Sequence, residues 1–136
     1  MSMTDFNAKV IEEFRANQGA VSGWEHMPLL LLHHVGAKSG QERVQPLAYR
    51  DDGGRYVIYA SKAGADTNPA WYHNLKAHPD VSIEVGDRTV AVRAEEATGA
   101  ERDRLFRVQA EATPQFAAYA EKTARVIPVI VLVPKD

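Results

Sequence analysis

The chain has 136 residues, the usual length of a single domain, and its 45% hydrophobic and 25% charged residues are typical of a soluble globular protein. Sixteen Lys and Arg against eighteen Asp and Glu give a net charge of −2, which argues against a general nucleic-acid-binding protein. The absence of cysteine excludes disulfides, thiolate metal sites and cysteine nucleophiles, and fits a reducing compartment.

No targeting or membrane-spanning segment is predicted. The first twenty residues are charged and amphipathic and lack the apolar central run of a signal peptide. The longest apolar runs, residues 27–32 and 128–133, are far shorter than the roughly 20 residues that a membrane-spanning helix needs. We therefore expect one domain over residues 1–136 in the cytoplasm.

The first half of the chain predicts one helix followed by three strands. Residues 4–18 place apolar side chains on one helical face and end at Gly19, and the face carries too few cations for a membrane-surface helix. Residues 29–35 form an apolar run suited to a buried strand. Residues 44–50 and 55–60 are strand-like, and the two glycines of the turn between them favour a hairpin.

A short helix and a second hairpin follow. Asn68 is a suitable N-cap, Pro69 stands at the favoured first helical position, and Pro79 prevents continuation beyond residue 78. Residues 81–85 and 90–94 alternate between apolar and polar side chains on either side of a Gly-Asp turn. This alternation predicts a hairpin.

The last third predicts two helices and a closing strand. Thr98 and Glu101 have the spacing of a capping box before a helix that reaches about residue 111. Pro114 opens a further helix to about residue 124, and residues 128–133 form an apolar strand. The elements therefore predict an α+β fold in which about six mainly antiparallel strands form a small barrel with flanking helices, because closure removes exposed edges.

The turn at residues 36–43 is the first candidate binding site. Its two glycines allow a sharp bend with exposed backbone N–H groups, and Lys38 and Arg43 add positive charge suited to phosphate or carboxylate. The glycine spacing does not match a P-loop. The alternative is an ordinary turn with solvated cations.

The second candidate is the loop of small residues 61–67, which runs into the helix that starts near residue 69. A helix N-terminus favours an anion, and Lys62 adds to that preference. Trp71 and Asn74 share a helical face that could provide a flat wall beside an amide. The alternative is that Trp71 anchors the core with Leu75 while Asn74 is exposed.

Two other kinds of site are not supported. His33 and His34 are adjacent on a strand and point to opposite faces, and His73 and His78 are five residues apart, which does not suit a helical pair of metal ligands. We predict no metal site. No Gly-x-Ser-x-Gly elbow marks a serine hydrolase.

Taken together, the two loops are recognisable. Residues 29–47 (LLLLHHVGAKSGQERVQPL) resemble the first signature of the deazaflavin-dependent nitroreductase family, and residues 60–75 (ASKAGADTNPAWYHNL) are similar to its second. The likeness extends over nearly the whole chain, including residues 125–128. It implies a split β-barrel, like that of flavin-binding oxidoreductases, which binds coenzyme F420, a 5-deazaflavin with a phosphate and an oligoglutamate tail.

The resemblance also implies an activity and a site. Hydride transfer from F420H2 would reduce a small acceptor such as a quinone, an enone or a nitro compound, and the protein would orient donor and acceptor. Lys38 and Arg43 would hold the phosphate or the acidic tail. The implied cofactor-binding residues are Ala37, Lys38, Ser39, Arg43, Ala60, Ser61, Lys62, Ala63, Ala70, Trp71 and Asn74.

Phe116 and Tyr119 lie at helical spacing, a pattern that suits either core packing or a cavity wall. They match a region where family members carry substrate-facing aromatic residues, although Phe116 stands where a tyrosine is usual. Tyr119, or water, would supply the proton that accompanies hydride transfer.

Three alternatives stay open from the sequence. The same fold could bind FMN, the protein could carry or sequester F420 without turnover, or the barrel could serve a structural role with no ligand. The oligomeric state is not predicted.

Overall fold

The computed structural model describes residues 3–21, 28–61, 67–123 and 126–135, with side chains from residue 7 onward. These residues contain seven strands and four helices. The strands are β1 (Leu29–Val35), β2 (Glu42–Ala48), β3 (Arg50–Asp52), β4 (Arg55–Tyr59), β5 (Asp80–Val85), β6 (Arg88–Glu96) and β7 (Val129–Pro134). The helices are α1 (Met3–Ala16), α2 (Ala70–Ala77), α3 (Gly99–Ala112) and α4 (Pro114–Lys122).

The strands form one sheet in the order β2-β1-β5-β6-β7-β4-β3, and every neighbouring pair is antiparallel. The two edge strands, β2 and β3, are separated in the chain by Tyr49 alone. The sheet must therefore curl until its two ends approach each other. This half-barrel confirms the predicted architecture of antiparallel strands with flanking helices.

Strand β1 is covered on both faces, which explains its continuous apolar sequence. Leu30 and Leu32 face the interior of the curled sheet and belong to the same buried cluster as Trp71 and Leu75 of α2. Leu29 and Leu31 belong to a second cluster with Val10 and Phe14 of α1. The strand thus fixes α1 and α2 on opposite sides of one backbone.

A third cluster fixes the C-terminal helices. Val57, Tyr59 and Val129 pack against Leu105 and Phe106 of α3. Helix α4 contributes no buried residue, and its Phe116 and Tyr119 lie at the margin of this cluster. Helix α4 therefore lies on the surface beside β4, with one aromatic face turned inward.

The predicted strand over residues 44–50 is wrong as a single element. The structure divides it into β2 and β3, so that there are seven strands in the described part of the chain rather than six. Strand β2 pairs with β1 and β3 pairs with β4, so the chain passes from one end of the sheet to the other at Tyr49. The Tyr49 N–H donates to the Pro28 carbonyl oxygen and does not belong to the β1–β2 or the β3–β4 pairing.

Helix boundaries lie close to the predicted positions, but the predicted N-cap of α2 and the predicted capping-box hydrogen bonds of α3 are wrong. Helix α2 begins at Ala70, so Pro69 stands at the N-cap position and Asn68 lies before it. Thr98 caps α3 without a side-chain hydrogen bond, and Glu101 instead accepts one from Arg55. The predicted stop at Gly19 is confirmed, since its φ is +98° and its N–H donates to the carbonyl of Phe14.

Candidate functional site

A cleft of about 1480 Å³ opens between the turn at residues 36–41, strand β2 and helices α1, α2 and α4. It exceeds the roughly 300–1,000 Å³ of ordinary small-molecule sites, so it has room for a large ligand and a second molecule. The predicted site residues that line it are Ala37, Lys38, Ser39, Arg43, Ser61, Ala70, Trp71, Asn74, Phe116 and Tyr119.

Among the described residues, one predicted site residue, Ala60, does not line the cleft. Ala60 is fully buried in the core, and its N–H donates to the Pro128 carbonyl oxygen over 3.0 Å. This donor is therefore already used by the protein. Lys62 and Ala63 lie outside the described residues.

The turn at residues 36–41 is closed by its own backbone. The Gly36 N–H donates to the Gln41 carbonyl oxygen (2.9 Å), and the Gly40 N–H donates to the Gly36 carbonyl oxygen (3.0 Å). A Cβ on Gly36 would lie 2.3 Å from Ser39 Oγ, so a larger residue at this position would displace the Ser39 side chain. The turn leaves Lys38 exposed at the cleft, beside the exposed Arg43 at the start of β2.

Asn74 joins this turn to helix α2. Its Oδ1 accepts the Ala37 N–H over 2.9 Å, and its Nδ2 donates to His34 Nδ1 over 2.9 Å. The alternative that Asn74 is exposed is wrong, because it is buried. Trp71 meets both interpretations, since it packs in the core with Leu75 and also lines the cleft.

His34 is a buried residue of the cleft wall that the sequence analysis considered only as a metal ligand. Its side chain shares the inner face of β1 with Leu30 and Leu32, and the residue is 3% exposed. Burial lowers the pKa of His34 to about 4, and the charge of Arg43 contributes in the same direction. The imidazole is therefore neutral at physiological pH.

His33 points to the opposite face, as predicted. Its Nε2 lies 2.6 Å from Glu84 Oε2, and its Nδ1 lies 3.1 Å from Glu42 Oε1. Glu84 also accepts two hydrogen bonds from the Arg15 guanidinium, at 3.1 and 2.7 Å. These contacts attach the C-terminal end of α1 to the sheet and lower the pKa of Glu84, with the Arg15 hydrogen bond as the largest cause.

An aromatic group forms another part of the wall. The ring of Phe116 lies 5.5 Å from that of Tyr59 and 5.5 Å from that of Tyr119, measured between centroids. The Tyr59 hydroxyl donates to the Leu105 carbonyl oxygen, and burial raises the pKa of Tyr59 to about 12. The Tyr59 proton is thus committed to the backbone, whereas Tyr119 lies half-buried on the cleft wall.

The cleft has polar and apolar regions. Lys38 and Arg43 supply cations, whereas Ile11 of α1 and residues 44 and 46–48 of β2 supply apolar surface. These contributions from α1 and β2 were not predicted, because nothing in the local sequence indicates which helix or strand will face a distant loop. Among the described residues no group of three or more His, Asp or Glu could hold a metal ion, and no described helix is long and apolar enough to span a membrane.

Comparison with known proteins gives a family match. A family model described as F420H(2)-dependent quinone reductase matches residues 7–134. An F420H(2)-dependent quinone reductase of Mycobacterium tuberculosis is 44% identical over 108 residues, which cover 77% of this chain and 72% of that protein. The solved structure of an F420-H2 dependent reductase has a TM-score of 0.70 and 40% identity, and the match covers 76% of this chain and 92% of that one.

A more distant structure shows the fold alone. A FAD-binding protein from Mesorhizobium loti has a TM-score of 0.55 at 17% identity, covering 100% of this chain and 91% of that one. Together with the F420-dependent structure, this likeness confirms the predicted split β-barrel.

Proposed function

The chain belongs to the F420H(2)-dependent quinone reductase family, and we propose that it binds F420 in the cleft described above and reduces a quinone-type acceptor there. The family and the relatives named for F420H2-dependent reduction confirm the predicted class, an F420H2-dependent oxidoreductase. They do not favour the FMN-binding or carrier alternatives.

The observation that carries the proposal is the charge pattern of the cleft. Lys38 and Arg43 are exposed there, and neither forms an ion pair with a carboxylate in the described part of the chain. Several other cations are engaged, for example Arg15 with Glu84 and Lys76 with Glu96. Two uncompensated cations beside an apolar cleft suit a flat ligand with a phosphate and carboxylates.

The two cations are proposed to hold the acidic groups of F420. Arg43 can grip phosphate or carboxylate with two parallel hydrogen bonds, and Lys38 adds a mobile point charge. Ser39 lies on the same turn, although its Oγ already accepts the Gln41 N–H over 3.2 Å. The Ala37 N–H is used by Asn74, so that predicted donor would not be offered to the cofactor.

Ala70 and Trp71, with Ser61, are proposed to lie along the ring system, since they line the cleft beside the first turn of α2. Bound F420H2 supplies the hydride. The chain holds donor and acceptor together in the cleft. Converting a quinone to a hydroquinone also takes a proton, which the Tyr119 hydroxyl or water would supply, because Phe116 has none to give and that of Tyr59 is committed to Leu105.

An anaerobic assay of F420H2 oxidation tests this proposal. We expect turnover with a soluble naphthoquinone, and the panel should also include a cyclic enone and a nitroaromatic compound. Tight F420 binding without consumption of F420H2 by any acceptor would instead indicate a carrier. A protein that is yellow as isolated, with a flavin spectrum that added F420 does not change, would indicate an FMN-binding protein.

A further inference from the structure

A chain of hydrogen bonds connects three separate elements at the cleft. His34 ends the inner face of β1, Asn74 lies on α2, and Ala37 lies in the turn that carries Lys38. The Asn74 side chain forms one hydrogen bond as acceptor and one as donor: its Oδ1 accepts the Ala37 N–H, and its Nδ2 donates to His34 Nδ1. The turn is thereby attached to α2 by a side chain whose orientation depends on His34.

The orientation of this amide has only one consistent solution. A backbone N–H can only donate, so Asn74 must present its oxygen to Ala37 and its NH2 group to His34. His34 Nδ1 must then accept, which requires its proton to be on Nε2. The opposite tautomer would place N–H against N–H and would favour an amide flip that releases Ala37.

We propose, on the basis of the F420 site proposed above, that His34 and Asn74 are positioning residues that hold the turn at residues 36–41 against α2 and so place Lys38 for an acidic group of the cofactor. Neither residue needs to touch the cofactor for this role. Their effect is on the geometry of the anion site.

Two further observations support this role. His34 Nε2 is buried and has no hydrogen-bond partner within the described ranges, and an unsatisfied buried N–H costs free energy that an apolar residue at this position would not. Arg43 is the direct partner of His34 in the β1–β2 register. A neutral hydrogen-bonding group at position 34 therefore orders the turn without adding a third positive charge beside the two cations.

Four variants separate the hydrogen bond from packing. His34→Phe removes the Nδ1 acceptor and Asn74→Leu removes both hydrogen bonds, whereas His34→Asn keeps an acceptor near the position of Nδ1. His78→Phe changes an exposed histidine just beyond α2 and is the control. Circular dichroism and urea unfolding establish that each variant is folded.

In ligand-free wild-type protein, long-range ¹H–¹⁵N NMR spectra should show the Nε2–H tautomer of His34. Exchange of the Ala37 amide should be slow, and it should accelerate in His34→Phe and Asn74→Leu but not in His34→Asn or His78→Phe. F420 titration should give a Kd raised about tenfold by the first two variants and restored to within about threefold of wild type by His34→Asn, as expected for one ordered hydrogen bond. Turnover at saturating F420H2 should change much less than Kd.

The inference is overturned if His34 carries its proton on Nδ1, or if folded His34→Phe and Asn74→Leu bind F420 as tightly as wild type while Lys38→Ala binds it weakly. It is also overturned if His34→Asn is impaired as much as His34→Phe. If F420 does not bind to the wild type at all, the proposed function fails instead, and the NMR measurements on ligand-free protein still decide the role of His34.

Discussion

Acid should destabilise this protein through His34 in a range where ordinary carboxylates are still ionised. Burial and the nearby charge of Arg43 lower the pKa of His34 to about 4, compared with an ordinary value of 6.5. The unfolded chain therefore takes up a proton as the pH falls through 6.5, while the folded protein resists it until about pH 4. The contribution of His34 to stability is therefore fully present above pH 6.5 and is lost as the pH is lowered through this window.

The size of the effect follows from the two pKa values. Proton linkage gives a loss of about 1 kcal/mol between pH 7.5 and pH 5.5 from this single group, rising to about 3 kcal/mol below pH 4. Because His34 is 3% exposed, solvent screening should reduce this value little. The loss should be absent from a variant that cannot titrate at position 34.

Urea unfolding of wild type, His34→Asn and His78→Asn at pH 7.5, 6.5 and 5.5 measures this loss. The free energy of unfolding of wild type, relative to that of His34→Asn, should fall by about 1 kcal/mol from the highest to the lowest pH. Contributions from carboxylates with a lowered pKa, such as those of Asp52 and Glu84, are common to all three proteins and cancel. Parallel pH profiles for wild type and His34→Asn would refute the reasoning.

Two further substitutions test the cleft, and one tests the attachment of α1 to the sheet. Tyr119→Phe removes the proposed proton donor and should reduce turnover about tenfold or more, with little change in F420 affinity. Unchanged turnover would show that Tyr119 only lines the cleft. Arg15→Gln removes the ion pair with Glu84. Because the guanidinium is half-exposed, we expect the free energy of unfolding in urea to fall by about 0.5–1 kcal/mol at low salt. A loss that is equally large at high salt would show that the ion pair is not its cause. Gly36→Ala should weaken F420 binding several-fold, because the new methyl group clashes with Ser39 Oγ. The double variant Gly36→Ala/Ser39→Ala should regain most of the lost affinity. Unaltered binding by the single variant would show that the turn accommodates the methyl group.

Local patterns were sufficient for most of the sheet. Strand β1 was predicted with its observed ends because it is buried on both faces and is followed directly by glycine. The hairpin of β5 and β6 was predicted from alternation around its Gly-Asp turn. The break at Tyr49 was not, because residues 44–50 contain no glycine turn and do not show that the two halves pair with different strands.

Local patterns also predicted part of the candidate site. The structure brings Lys38, Ser61 and Trp71 to one cleft, as the convergence of the two loops required. The hydrogen bonds among His34, Asn74 and Ala37 link positions up to 40 residues apart, and no local spacing indicates them. The alternation of β1 does place His34 on the same face as Leu32, and that was the available sign of a buried histidine.

The central claim is that the cations beside the turn at residues 36–41 bind the acidic groups of F420. A fluorescence titration with F420 on wild type, Lys38→Ala and Arg43→Ala tests it most directly, with Arg107→Ala on the exposed face of α3 as the control. We expect Kd to rise several-fold or more for each of the first two variants, with a weaker dependence on salt, and to stay unchanged for the control. Wild-type affinity in both Lys38→Ala and Arg43→Ala would contradict the account.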